Sequence, residues 1–146
     1  MKRIYLDTSL LVAALVHERG TAEAHRFLSE TAQQPWQISS WVITEFASAL
    51  GMKCRQGVIA AAEASETWQR FQQLQEERLQ LLMPEPTDFR TAAHFCLSMS
   101  TPLRAGDALH LAICQRQSSC LASFDRQLCA AAAQHHVSTQ LLEIPS

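Results

Sequence analysis

Short apolar runs alternate with helical patterns along the chain, and this alternation constrains the fold more than any other feature of the sequence. Strands are predicted at residues 3–6, "WQIS", "LQLLM", "CLASF" and "VSTQLLEI". Between them, apolar residues recur at helical spacing, which predicts helices at residues 9–16, 22–32, 41–55, 58–78, 88–99, 105–117 and 126–134. Strands that alternate with helices favour a three-layer α/β domain with a mostly parallel sheet.

Residues that favour helix ends mark several of these boundaries. Thr21 and Thr87 each stand just before a predicted helix, and we expect both to be N-caps. Ser39 or Ser40 is the expected N-cap of the third helix, and Asp125 opens the last one. The length limits the number of domains, because 146 residues with 47% hydrophobic content suit a single domain over residues 1–146.

The charge balance limits the kind of partner. The formal net charge is −2 and the isoelectric point is about 6.3. A nucleic acid could not be held by a large positive field, so binding would need a local basic patch, a bound metal or a second subunit.

Cysteine usage and the absence of export signals predict a cytoplasmic protein. The five cysteines are odd in number and form no CxxC pair, so we expect free, mostly buried thiols rather than disulfides or a thiolate zinc site. The apolar start of the chain is interrupted by Asp7 and is followed by no cleavage pattern of a signal peptide. No segment is long and apolar enough to span a bilayer.

Four acidic residues fall where the predicted topology would bring them together. Asp7 ends the first strand, Asp125 follows a later strand, and Asp107 begins the helix before that strand. Glu45 lies about one turn into the helix after the second strand. Ligands of open α/β sheets bind beyond the carboxyl ends of the strands, so all four can reach one edge. Each also has a purely structural explanation, since acids favour helix N-termini and helix surfaces.

Carboxylates that converge in one cleft repel one another and lose solvation. A divalent cation resolves that conflict, and hard oxygen ligands suit Mg²⁺ or Mn²⁺ better than Zn²⁺. Such a site can activate a water molecule and neutralise a phosphodiester in the transition state. Asp7 would then be a metal ligand at the end of a buried strand.

Four stretches resemble the acidic motifs of PIN-domain ribonucleases, and most closely those of VapC-type toxins from VapBC toxin–antitoxin systems. They are "YLDTSLLVA", "ITEFASAL", "LRAGDALHLA" and "LASFDRQLCAAA". The resemblance covers nearly the whole chain, and the four motifs together are more specific than any one alone. It implies four or five parallel strands with helices on both faces.

The resemblance also implies an activity and a set of site residues. The activity is Mg²⁺- or Mn²⁺-dependent endonucleolytic cleavage of RNA. The acidic site, which would also hold the metal, is Asp7, Glu45, Asp107 and Asp125. Ser9 and Ser123 match the family's small hydroxyl residues and would orient carboxylates or water.

The resemblance further implies a cognate antitoxin and a homodimer, bound through residues 21–33 and 58–78. Trp41, Trp68 and Phe71 are candidate contacts, with core packing as the alternative. Arg104 would meet a phosphate or the antitoxin, or remain a solvated charge. His110 is either a neighbour of the acidic site or a core histidine. The family often has a glycine before the final strand, where "QHHVS" here indicates a different turn.

Two rival functions stay open at the level of sequence. A phosphatase of the haloacid dehalogenase class also begins with an Asp after its first strand, but it needs a second Asp two residues later, where this chain has Ser9. A degenerate PIN domain could bind RNA or protein without catalysis, although all four acids are present.

Overall fold

Five parallel strands form a single sheet in the computed structural model, which describes residues 2–145. The strands are β1 (Ile4–Leu6), β2 (Trp36–Ser39), β3 (Leu79–Leu82), β4 (Cys120–Ser123) and β5 (Thr139–Leu141). Their order is β3-β2-β1-β4-β5, and every neighbouring pair is parallel. The strand that ends at Asp7 is therefore the central one.

Seven helices flank this sheet within residues 2–145. They are α1 (Thr8–Leu15), α2 (Thr21–Glu30), α3 (Ser40–Arg55), α4 (Ala61–Arg78), α5 (Pro86–Leu97), α6 (Ala105–Gln117) and α7 (Arg126–Gln134). The predicted three-layer α/β architecture with a parallel sheet is confirmed. The last strand is shorter than the predicted residues 137–144, and α4 begins three residues later than predicted.

The core lies on both faces of the central strands, and one aromatic cluster joins α3 to α4. The rings of Phe46 and Phe71 stack with their centroids 4.3 Å apart, and both side chains are fully buried. Trp68 packs beside them, 5.5 Å from the Phe71 ring. Phe71 is therefore a core residue, and its prediction as a partner contact is wrong. A stripe of apolar residues at helical spacing has the same pattern whether it faces a core or a partner.

Two predicted N-caps are also wrong. The N-cap of α2 is Gly20, and the Thr21 hydroxyl instead donates to carbonyl oxygens at the end of α1, those of Ala13 and Val16. The N-cap of α5 is Glu85, which forms a reciprocal capping box with Asp88. A threonine near a helix start has several backbone groups within reach, so its position alone does not identify the cap.

The segment "QHHVS" joins α7 to β5. His136 adopts a left-handed backbone with φ of 59°, a conformation that glycine adopts without strain. All five cysteines are free, and three of them are buried. None of the helices in residues 2–145 is long and apolar enough to cross a membrane.

Candidate active site

The acidic residues lie at the carboxyl edge of the sheet because β1 and β4 are neighbours. The Asp7 amide donates to the carbonyl of Ala122 on β4, at 3.0 Å. The chain leaves β1 into α1 at Asp7 and leaves β4 into α7 at Asp125. Two elements far apart in sequence therefore present their carboxylates at adjacent positions of one edge.

Asp7 is held by two hydroxyl groups and is only 5% exposed. Its Oδ2 accepts hydrogen bonds from Ser9 at 2.8 Å and from Ser123 at 2.7 Å. Its Oδ1 accepts none from residues 2–145. The two serines singled out in the sequence thus converge on one oxygen and leave the other available.

Glu45 is held through one oxygen by residues from two other helices. Its Oε1 accepts from the Thr8 hydroxyl at 2.7 Å and from His110 Nε2 at 2.5 Å. Burial pushes the pKa of Glu45 upward. The hydrogen bond from His110, the charge of that ring, and hydrogen bonds from Thr8 and Trp41 outweigh burial and hold this pKa below its usual value.

Asp107 has the opposite environment. Burial raises its pKa, the negative charges of Asp7, Asp125 and Glu45 raise it further, and His110 offsets only part of the effect, so that the pKa of Asp107 reaches about 6. A carboxyl group in this state is crowded by like charge. The charges of the other three acids therefore all act on Asp107, and the four residues are together called the acidic group.

Asp125 fulfils its structural role and also lies in this group. Its Oδ1 accepts from the Leu128 amide at 3.0 Å, which caps α7, and its own amide donates to Ser123 Oγ at 2.9 Å. A cavity of about 510 Å³ opens beside Asp125 and Asp107. Arg104 and Gln127 also line it, so one basic side chain stands at the acidic cleft.

Gly106 lets α6 approach α3 closely at this edge. A Cβ at this position would lie 2.9 Å from Trp41 Nε1 and 3.2 Å from Glu45 Oε2. Trp41 is 37% exposed and borders a mainly apolar groove of about 600 Å³, together with Phe89 and Leu109. Trp41 is thus available for a partner contact, unlike Phe71.

The donors suit a divalent cation, although the side chains do not already form a metal centre. Within residues 2–145, no three acidic, histidine or cysteine side chains are arranged as they stand to hold one ion. The mutual repulsion that raises the pKa of Asp107 is nevertheless the imbalance that a cation relieves. Carboxylate oxygens are the ligands that Mg²⁺ and Mn²⁺ prefer. Asp7, Asp107, Asp125 and Glu45 supply donor atoms of this kind.

Two residues of the site were missed by the sequence analysis. Thr8 bonds to Glu45, and the Tyr5 hydroxyl lies 2.6 Å from His110 Nδ1. Thr8 follows Asp7 directly, and hydroxyl residues beside an acidic motif are a signal that was available. Tyr5 gave no signal, because a tyrosine in an apolar strand resembles ordinary core. His110 is both buried and in contact with the site, so its two interpretations coincide.

A family model for the PIN domain matches residues 4–134 of the chain. The chain belongs to the PIN domain family. This match confirms the resemblance that the four acidic motifs indicated. No curated protein sequence matches the chain.

Solved structures of VapC toxins and VapBC complexes share the fold at low sequence identity. VapBC2 from Rickettsia felis, bound to promoter DNA, is 12% identical with a TM-score of 0.74, over 97% of this chain and 99% of that one. Mycobacterium tuberculosis VapC20, a sarcin-ricin loop cleaving toxin, is 17% identical with a TM-score of 0.71, over 88% and 94%. DNA-bound VapBC from Salmonella typhimurium is 10% identical with a TM-score of 0.68, over 96% and 98%.

Proposed function

We propose that this PIN-domain protein is a Mg²⁺- or Mn²⁺-dependent endoribonuclease and the toxin of a type II toxin–antitoxin pair. The observation that supports the proposal most is the coupling of four carboxylates at one sheet edge. It contributes to the pKa of Asp107, which burial and the charges of the other three acids together raise to about 6. Structural acids that only cap helices have no reason to crowd one another at this cost.

The chain's own residues have distinct parts in the proposed reaction. Asp7, Asp107, Asp125 and Glu45 would hold the metal, which supplies positive charge at the scissile phosphate and lowers the pKa of bound water. Ser9 and Ser123 fix the Asp7 carboxylate, so that its free oxygen points in one direction. Hydrolysis in line would leave a 5′-phosphate and a 3′-hydroxyl, with no covalent intermediate on the protein.

Substrate and partners follow from the same family. RNA is the proposed substrate, since VapC20 is a toxin that cleaves the sarcin-ricin loop. A cognate antitoxin is the proposed partner, since VapBC2 and the Salmonella VapBC are toxin–antitoxin complexes. Arg104 borders the acidic cleft and is the proposed contact for a flanking phosphate. The homodimer and a cytoplasmic location complete the proposal.

The alternative functions are less well supported. A binding module without catalysis would have no use for Asp7 being fixed by two hydroxyl groups. A phosphatase of the haloacid dehalogenase class would need an acid at position 9, where Ser9 instead bonds to Asp7.

The nuclease is tested by RNA cleavage with Mn²⁺ or Mg²⁺, compared with EDTA, for wild type and Asp7→Asn. Wild type should cleave only with metal, and Asp7→Asn should lose at least 100-fold, roughly the factor by which metal ligation and its support affect activity. Glu66→Gln, an exposed acid on α4, is the control and should match wild type. Equal cleavage by wild type and Asp7→Asn, with and without metal, would refute the nuclease.

The toxin part of the proposal has a separate readout. Expression of the wild-type chain should arrest growth, Asp7→Asn should not, and co-expression of a small open reading frame adjacent to its gene should relieve the arrest. If the wild-type protein cleaves RNA but its expression does not slow growth, the nuclease proposal holds and the toxin proposal is refuted.

A further inference from the structure

A buried polar chain crosses the core and ends at Glu45. Ser39 Oγ lies 2.7 Å from the Tyr5 hydroxyl, which lies 2.6 Å from His110 Nδ1. His110 Nε2 lies 2.5 Å from Glu45 Oε1. Ser39, Tyr5 and His110 are all completely buried. These three side chains therefore link β1 and β2 to α6 out of contact with solvent.

Hydrogen-bond chemistry gives this chain a direction. An ionised carboxylate only accepts, so Nε2 of His110 carries the proton that faces Glu45. In the neutral ring, Nδ1 is then an acceptor, Tyr5 donates to it, and Ser39 donates to Tyr5. In the protonated ring, Tyr5 turns its proton toward Ser39 and the bond to Glu45 is unchanged. The contact with Glu45 is thus the same in both charge states.

Packing alone does not require this series of buried hydrogen bonds. Burying a hydroxyl or an imidazole is unfavourable unless every polar atom finds a partner, and Phe or Leu would fill the same space. Here every polar atom of the chain has a partner, and its exposed end is a carboxylate of the acidic site.

The contacts around Glu45 leave it little freedom. Thr8 and His110 approach Oε1 from α1 and α6. The second oxygen, Oε2, lies close to Gly106, where a Cβ would be only 3.2 Å away. The carboxylate is therefore enclosed by three separate helices, its own included.

We propose that His110, supported by Tyr5 and Ser39, is a positioning residue that fixes the Glu45 carboxylate in the acidic site. For RNA cleavage this inference rests on the proposed nuclease function. For metal binding it stands on its own.

Two amide variants of His110 test the contacts of its two ring nitrogens separately. The amide nitrogen of Gln reaches about as far as Nε2, so His110→Gln retains a donor to Glu45. The shorter amide of Asn reaches only as far as Nδ1, so His110→Asn retains a partner for Tyr5 and loses Glu45. We expect His110→Asn to lower kcat for RNA cleavage about 10–100-fold with KM unchanged. His110→Gln should stay within about threefold of wild type, because it loses only the neutral hydrogen bond to Tyr5, and such a bond contributes only a small factor.

Mn²⁺ binding, measured by calorimetry without RNA, is the second readout. Affinity should fall about 10–100-fold in His110→Asn and recover in His110→Gln. Tyr5→Phe retains the ring and should lose a smaller factor, roughly 2–10-fold. His94→Gln, an exposed histidine on α5, should match wild type. Near-UV circular dichroism establishes that each variant is folded.

The outcomes distinguish this inference from the nuclease proposal. In one outcome the wild type binds Mn²⁺ but cleaves no RNA, and Mn²⁺ binding is weaker in His110→Asn and restored in His110→Gln. This result refutes the nuclease proposal and supports the positioning role of His110. In another outcome the wild type cleaves RNA, but His110→Asn and His110→Gln have the same kcat and the same Mn²⁺ affinity. This result overturns the positioning role and leaves the nuclease proposal intact. Should neither amide variant fold, Tyr5→Phe decides: unchanged Mn²⁺ affinity in that variant overturns the inference.

Discussion

Replacement of Asp107 by Asn should stabilise the protein in the absence of divalent cations while removing its proposed activity. Asn has nearly the shape of protonated Asp but no charge. In the native chain, burial and the charges of Asp7, Asp125 and Glu45 raise the pKa of Asp107 from 3.8 to about 6. At neutral pH the ionised Asp107 is thus less stable in the folded state than in the unfolded chain.

The size of the effect follows from that shift. A rise of about two pKa units corresponds to roughly 3 kcal/mol for a fully buried group. Asp107 is only partly buried, so screening by solvent reduces this to about 1–2 kcal/mol. For a domain of this length the gain corresponds to roughly 3–8 °C in Tm.

The pH dependence has a definite sign. Between pH 3.8 and about 6 the folded chain binds more protons at Asp107 than the unfolded chain does. Stability from this group therefore falls as pH rises through that window. Asp107→Asn should gain most above pH 6.5 and roughly half as much near pH 5.

Thermal unfolding in EDTA at pH 5 and pH 7.5 checks this, with Glu66→Gln as a control for removing one exposed negative charge. Added Mn²⁺ should then raise the Tm of wild type more than that of Asp107→Asn, because a ligand stabilises the state that binds it better. An unchanged or lower Tm for Asp107→Asn at pH 7.5, or the same gain at both pH values, would show that burial and like charge do not raise the pKa of Asp107 as described.

Two further predictions concern stability. Phe71→Ala should lower the free energy of unfolding by roughly 3–5 kcal/mol in urea titrations, because it removes a buried ring. Phe89→Ala, which removes a ring that is 57% exposed, should cost about 0.5 kcal/mol or less; similar losses in the two would contradict the placement of Phe71 in the core. Arg116→Met should cost roughly 2–4 kcal/mol, since Arg116 makes two 2.8 Å bonds to the buried Asp88 carboxylate. The double variant with Asp88→Asn should recover part of that loss, and additive losses would argue against the pair.

Much of this fold could be predicted from the sequence because local signals and tertiary needs agree. The helix at residues 105–117 and the helix at residues 126–134 were predicted with their observed bounds. Asp125 combines a cap with the end of an apolar strand, so two independent signals mark one boundary. Thr21 and Thr87 had only the weaker signal of a hydroxyl near a helix start.

The site could be predicted only in part, and the limit is physical. The positions of Asp7 and Asp125 follow from topology, because the ends of parallel strands meet at one edge. The partners of Glu45 do not follow, since Thr8 and His110 come from two other helices and meet it only through tertiary packing. Phe71 and Trp41 looked alike in sequence, and their burial separates them.

The bond between Ser123 and Asp7 joins residues 116 positions apart in the chain. The carboxylate of Asp7 is thus synthesised 116 residues before the hydroxyl group that orients it. A growing polypeptide that has not reached β4 has neither Ser123 nor Asp125, and its first strand lacks one of its two neighbours. The order of synthesis therefore delays assembly of the acidic edge, and a chain cut before residue 120 could retain most of its helices without the means to complete the site.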